Sequence, residues 1–160
     1  MARALIVGCG RRGRALGNEL VERGWLVRGT SRRDSGLEAI DHAGLEPALA
    51  DPERPGTILD LVGDVTAVVW LLGSAEGSDE ELAAIHGPRL ERLLEELVDT
   101  PVRGFAYEAE GSVPGELLGG GRETVERAAA TWRIPVATLE AGKGEEWAAS
   151  AADTVTGLVA

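Results

Sequence analysis

Side chains that many enzymes depend on are scarce in this sequence. Its 160 residues include one cysteine, one tyrosine, one phenylalanine and one lysine, Lys143. A single cysteine excludes an internal disulfide and a cysteine-built metal cage. The two histidines, His42 and His86, belong to no His/Asp/Glu spacing suited to a metal ion. Basic charge is short as well: 16 Lys and Arg against 27 Asp and Glu leave a net charge of −11. That balance argues against nucleic acid or an anionic membrane as partner of the whole surface. No apolar run approaches the length of a membrane span, and the chain enters a strand without a signal-peptide core, so a soluble, cytoplasmic protein is expected.

Glycine is plentiful, and its placement is informative. Residues 3–7 read as a short buried strand; Gly8, Gly10 and Gly13 then give G-x-G-x-x-G, and a helical pattern with Leu16 and Leu20 follows at once. Strand, tight turn and helix in succession form a dinucleotide fingerprint. Gly8 allows the turn, Gly10 lets a diphosphate approach the backbone, and Gly13 lets the helix pack close to the strand. The helix N-terminus then offers free N–H groups and a partial positive charge to phosphate. Cys9, Arg11 and Arg12 complete this loop.

Further strands are expected at residues 25–30, 46–50, 67–72, 102–107 and 135–139. Helices are expected at 36–43, 57–62, 80–98, 122–132 and 146–158, the long one broken at Gly87-Pro88. Residues 108–121, rich in glycine, read as a loop. The stretch 67–72 is continuously apolar rather than alternating, as in a parallel sheet covered on both faces. The alternation of strand and helix predicts one doubly wound α/β domain of Rossmann type over residues 1–160, with about six parallel strands.

The end of the second strand meets the adenosine ribose in such a fold, and an acid there holds the 2′-hydroxyl of NAD. Here the chain reads Gly29-Thr30-Ser31-Arg32-Arg33, and Asp34 comes only after two arginines. Hydroxyls and guanidinium groups suit a 2′-phosphate. NADP is therefore expected over NAD, held by Thr30, Ser31 and Arg32 with Arg33 and Arg11 as additions. Asp51 either accepts from the adenine amino group or caps the turn at Pro52. Leu72 and Gly73, before Ser74, close the fourth strand beside the cofactor.

These segments resemble the short-chain dehydrogenase/reductase superfamily. The likeness rests on Gly8-Cys9-Gly10-Arg11-Arg12-Gly13, Thr30-Ser31-Arg32-Arg33, Ala50-Asp51 and Val68-Val69-Trp70-Leu71-Leu72-Gly73. It is nearest to the extended and atypical branches, the NAD-dependent epimerase/dehydratase type, and runs from Leu5 to about Leu139. The glycines alone also resemble the cofactor domain of 6-phosphogluconate or prephenate dehydrogenases, which accounts less well for Asp51 and Leu72-Gly73. The superfamily implies a Tyr and a Lys separated by three residues, the Lys lowering the Tyr pKa for proton exchange. Where similarity would put that pair, near residues 118–122, the chain reads Leu-Gly-Gly-Gly-Arg; Arg122 keeps the charge without a phenol. The superfamily's serine would fall near Glu108 or Ala109, with Ser112 a nearby substitute, and the substrate-binding region of extended relatives is not expected here.

Other chemistry is weighed against packing. Tyr107 and Lys143 close adjacent strand ends, as an acid/base pair or as a packed and a solvated residue. Glu108, Glu110 and Glu140 at that edge are acids or bases if desolvated, or hydrated loop carboxylates. His86 is a proton carrier facing the cofactor or a helix-surface residue, and His42 ends a helix. Cys9 sits where a helix dipole lowers thiol pKa, as a redox sensor or as a small residue tolerated in the loop. The four tryptophans read as packing residues, and the helices over 80–98 and 122–132 either cover the sheet or also build a homodimer. Two functions follow: an oxidoreductase or epimerase-like enzyme with a non-standard acid/base set, its small-molecule substrate entering near Ser74, Tyr107 and Ser112, or an NADP(H)-binding protein without turnover.

Overall fold

The computed structural model describes residues 1–140, 142 and 144–160. The elements follow in the order β1 (Arg3–Val7), α1 (Arg11–Glu22), β2 (Leu26–Ser31), α2 (Asp34–His42), β3 (Glu46–Leu49), α3 (Pro55–Leu59) and β4 (Ala67–Trp70). Then come α4 (Asp79–Ile85), α5 (Pro88–Glu96), β5 (Gly104–Glu108), α6 (Gly115–Trp132), β6 (Val136–Leu139) and α7 (Gly144–Leu158). All strand pairs are parallel, and the sheet order is β3-β2-β1-β4-β5-β6. That order is the doubly wound α/β arrangement the alternation predicts.

Successive residues of a strand point to opposite faces, and here both sets are apolar. Leu5, Val7, Val68, Trp70, Phe105 and Tyr107 pack on the face covered by α3, α4, α5 and α6. Ala4, Ile6, Ala67, Val69 and Ala106 pack on the other, against α1, α2 and α7. Each fully buried Leu, Ile or Phe contributes roughly 1.5–3 kcal/mol, so the central strands anchor the domain. The indole N–H of Trp70 donates to the Ile85 carbonyl at 3.2 Å, which satisfies a buried donor and ties β4 to the end of α4. No helix among the described residues is long and apolar enough to cross a membrane.

The break at Gly87-Pro88 divides the long helix into α4 and α5. Ser78 and Glu81 form a reciprocal cap at the start of α4, each side chain accepting from the other's backbone N–H. The stretch 108–121 departs from the sequence expectation. Glu108 ends β5, residues 109–114 are the loop, and α6 begins at Gly115. Helix propensity argues against Gly119, Gly120 and Gly121, but packing overrides it. Leu118 is buried, and Gly121 passes directly over the Tyr107 ring, where a Cβ would collide with the phenol.

Candidate functional site

The strand order reverses at β1 and β4, and ligands in such sheets bind in the crevice outside the carboxyl ends of the strands at that point. A cleft of about 480 Å³ lies there. Its floor is the turn from β1 to α1, where Gly8, Cys9, Gly10, Arg11, Arg12 and Gly13 all line it. Gly8 has φ +84°, and a Cβ on it would meet Leu72 Cδ2 at 2.6 Å and the Leu71 carbonyl at 2.7 Å. Gly10 caps α1, is exposed, and has no atom within 4 Å of where a Cβ would stand. Space is therefore open above its backbone. The first intrahelical bond of α1 is Arg14 N–H to the Gly10 carbonyl at 2.8 Å, and neither a capping side chain nor an acid occupies the first turn. The preceding amides of the turn have no intrahelical acceptor. Bare amides at a helix N-terminus, with open space over them, fit a pair of linked phosphates.

Cys9 lines the cleft, yet its side chain is only 4% exposed. The sulfur sits between Gly13 and Gly29, where a Cβ would approach it to 3.2 Å and 2.6 Å respectively. Burial pushes the thiol up to about 12, and the nearby Arg14 charge only partly opposes it. The expected activation by the helix dipole is thus outweighed, and Cys9 packs as a small apolar residue. Gly29, a partner of this packing, carries no sequence signal, because its role is spatial.

The β2 side of the cleft is formed by Thr30, Ser31, Arg32 and Arg33, all lining it. Thr30 is buried; its hydroxyl oxygen accepts from Gly8 N–H at 3.3 Å and its carbonyl from Cys9 N–H at 3.0 Å. Thr30 therefore braces the glycine turn. Ser31 Oγ accepts from Arg33 N–H at 3.2 Å, and Gly36 leaves room for that hydroxyl. Arg11, Arg32 and Arg33 are exposed at the rim. Asp51 does not line the cleft, although Ala50 and Pro52 do. Its carboxylate accepts from Glu53 N–H at 2.9 Å, and its backbone exchanges hydrogen bonds with the Thr57 hydroxyl, so Asp51 caps the turn.

At the inner end stand Leu72, Ser74 and Glu108. Gly73 lies behind them, with its N–H donating to Glu108 Oε1 at 2.7 Å. Ser112 N–H donates to Ser74 Oγ at 3.1 Å and Val113 N–H to the Gly73 carbonyl at 3.0 Å, so the loop after β5 is fastened along the loop after β4. Glu108 corrects the expectation of a hydrated loop carboxylate: it is the last residue of β5 and 2% exposed. Its other oxygen is ion-paired with Arg12 Nη1, and the Arg12 guanidinium lies 4.1 Å from the Trp147 ring centroid. Burial raises the Glu108 carboxyl above its ordinary range; the Arg12 charge and the Gly73 amide pull it part of the way back.

The remaining acid/base candidates lie elsewhere. Tyr107 is fully buried, its hydroxyl 2.7 Å from His86 Nδ1, and neither residue lines the cleft. His86 Nε2 is 2.9 Å from the Leu72 carbonyl. A carbonyl only accepts, so Nε2 carries the proton and Nδ1 accepts from the Tyr107 hydroxyl. Burial lowers the His86 pKa and raises that of Tyr107. His86 is therefore a neutral core residue, neither on the helix surface nor facing the cleft. Arg122 is exposed on α6 and pairs with Glu126 at 3.3 Å, away from the cleft. Glu140 is exposed at the end of β6. Lys143 lies outside the described residues. Among the described residues no group of three or more His, Cys, Asp or Glu could hold a metal ion.

No protein-family model matches the sequence, and no curated protein matches it. Solved structures do. A Bacillus halodurans protein provisionally named an NAD-dependent epimerase/dehydratase superposes with a TM-score of 0.78 at 15% identity, covering 99% of this chain and 89% of that one. A metagenomic short-chain oxidoreductase in complex with NADP gives a TM-score of 0.69 at 18% identity, over 97% and 90% of the two chains. The triphenylmethane reductase of Citrobacter sp. gives 0.70 at 18% identity, over 98% and 65%. The chain has the fold of these proteins. It spans about two thirds of the Citrobacter enzyme, and 56% of alfalfa vestitone reductase, which superposes with a TM-score of 0.65 at 19% identity.

Proposed function

We propose that this chain binds NADP(H) in the cleft between β1 and β4 and serves as a nicotinamide-dependent oxidoreductase or epimerase-like protein. The observation that carries the reading is the turn from β1 to α1: open space over Gly10 beside bare helix amides, braced from below by Thr30. The preference for NADP over NAD rests on Ser31, Arg32 and Arg33, because the end of β2 offers hydroxyl and guanidinium groups where NAD-binding chains supply an acid. A solved short-chain oxidoreductase of this fold holds NADP, and so does the triphenylmethane reductase of Citrobacter sp.. Arg11, Arg32 and Arg33 would reach the 2′-phosphate, the α1 amides the diphosphate, and Leu72 and Ser74 the ribose and nicotinamide side. The bound dinucleotide would supply or accept hydride. The protein's part is to orient it and to keep the inner end of the cleft ordered through Gly73, Ser112 and Val113.

Calorimetric titration with NADPH and NADH tests the first half. NADPH is expected to bind at least about tenfold more tightly, with Arg32→Ala removing much of that margin; equal affinity, or tighter NADH binding, defeats the assignment. Hydride transfer from labelled NADPH to a panel of aldehydes, ketones and nucleotide sugars tests the second half. Binding without turnover is the other reading, and a specific observation favours it: the chain's only phenol, Tyr107, is buried against His86. Tight NADPH binding with no transfer across the panel would select that reading.

A further inference from the structure

Glu108 joins parts of the protein that are far apart in sequence. Its Oε1 accepts from the Gly73 amide at 2.7 Å, on the β4 side of the cleft, and its Oε2 pairs with Arg12, in the first turn of α1. Arg12 is in turn stacked on Trp147 of α7. Gly73 is shaped for this contact, since a Cβ there would come within 2.8 Å of the Glu108 side chain. The pair is costly, because desolvating two charges offsets most of their attraction. Nε and Nη2 of Arg12 are also buried without a hydrogen-bond partner among the described residues. What the pair does do is fix geometry, because it holds three separate segments of the chain together. Both Glu108 oxygens already accept from donors, one of them a cation, so the carboxylate is engaged in holding Gly73 and Arg12 rather than free to face a ligand.

We propose that Glu108 is a positioning residue that clasps the α1 N-terminus, through Arg12, to the β4 loop, through Gly73, and so holds the cleft in its binding shape before the dinucleotide arrives. The inference rests on the dinucleotide reading of the cleft. Its physical basis is preorganisation: a wall ordered beforehand need not be ordered at the expense of affinity. Because the carboxylate draws Arg12 Nη1 to itself, the diphosphate is left to the backbone amides and the rim arginines.

The test is a double-mutant cycle read by NADPH calorimetry, with Glu108→Gln, Arg12→Gln and the double variant. Glu108→Gln is expected to weaken NADPH binding about tenfold. Arg12→Gln should do much the same, and the double variant should lose little more than either single change. A second readout uses no ligand: amide hydrogen exchange at Gly73 should be slow in the wild type and faster in Glu108→Ala, which removes the acceptor, while amides of the central strand β4 stay protected. Unchanged or tighter NADPH binding by Glu108→Gln overturns the proposal, as does simple additivity in the double variant. Loss of thermal stability with unaltered affinity also overturns it, since that is the mark of a purely structural pair. If the wild type itself binds no NADPH, the dinucleotide reading falls and takes the proposal with it. Wild-type binding with an indifferent Glu108→Gln removes the proposal alone.

Discussion

Gly8 and Gly10 are two residues apart and have no side chain for different reasons. Gly8 is conformational and steric: φ is +84°, and the Leu71 carbonyl and Leu72 side chain occupy the space a Cβ would need. Gly10 has ordinary backbone angles, φ −83° and ψ −154°, and open space around it. Substitutions should therefore separate folding from binding. Gly8→Ala should cost about 1–3 kcal/mol of stability in urea unfolding. Gly10→Ala should leave stability within about 0.5 kcal/mol yet, on the proposed reading of the cleft, weaken NADPH binding at least about tenfold, because its methyl would fill the space proposed for a phosphate. A Gly10→Ala protein with wild-type affinity would remove the diphosphate from this turn. Cys9 shows the limit of reasoning from one neighbour: the helix dipole was legible in the sequence, but the burial that outweighs it depends on Gly29, twenty positions away.

At the scale of elements, α6 is the instructive case. Its glycines have different surroundings: Gly119 and Gly120 face open space, whereas Gly121 lies against the Tyr107 phenol and the His86 carbonyl. Gly119→Ala and Gly120→Ala should each stabilise the protein by about 0.5–1 kcal/mol through reduced chain entropy. Gly121→Ala should destabilise it by about 1–3 kcal/mol through overpacking, with thermal unfolding as the readout; a stabilising Gly121→Ala would mean that the Tyr107 ring has room to move. This contrast also shows which elements a sequence can reveal. The strands and the break at Gly87-Pro88 were legible because apolar continuity and proline act locally. The early start of α6 was not, because its glycines read as loop and the close approach that one of them allows, Gly121 to Tyr107 on β5, is spatial. Similarly, the turn from β1 to α1 and the hydroxyl and arginine run after β2 could be read directly. The burial of Glu108 could not, since nothing in the sequence near it signals Arg12 or Gly73 as partners.

For the molecule as a whole, charge is divided unevenly. The net charge is −11, yet Arg11, Arg12, Arg14, Arg32 and Arg33 all line the cleft, against only Glu76 and Glu108. A phosphorylated dinucleotide bound as proposed would be attracted at short range and repelled at long range. Raising ionic strength from about 0.01 M to about 0.1 M shortens the screening length from about 30 Å to about 10 Å, which suppresses the distant carboxylates before the neighbouring arginines. Salt at about 1 M, with a screening length of about 3 Å, weakens both. NADPH affinity is therefore expected to hold steady or rise over the first interval and to fall over the second. A monotonic decline from the lowest salt would show that the acidic surface exerts no field at the cleft.

Thr30 separates two tasks that the end of β2 performs. Its hydroxyl and carbonyl are committed to Gly8 and Cys9, and Ser31 is tied locally through its Oγ and carbonyl, whereas the side chains of Arg32 and Arg33 are exposed at the rim. If the cleft holds a dinucleotide as proposed, coenzyme preference is separable from the scaffold: exchanging the Arg32 and Arg33 side chains should retune selectivity, whereas replacing the threonine by valine would remove the hydroxyl that braces the turn from β1 to α1.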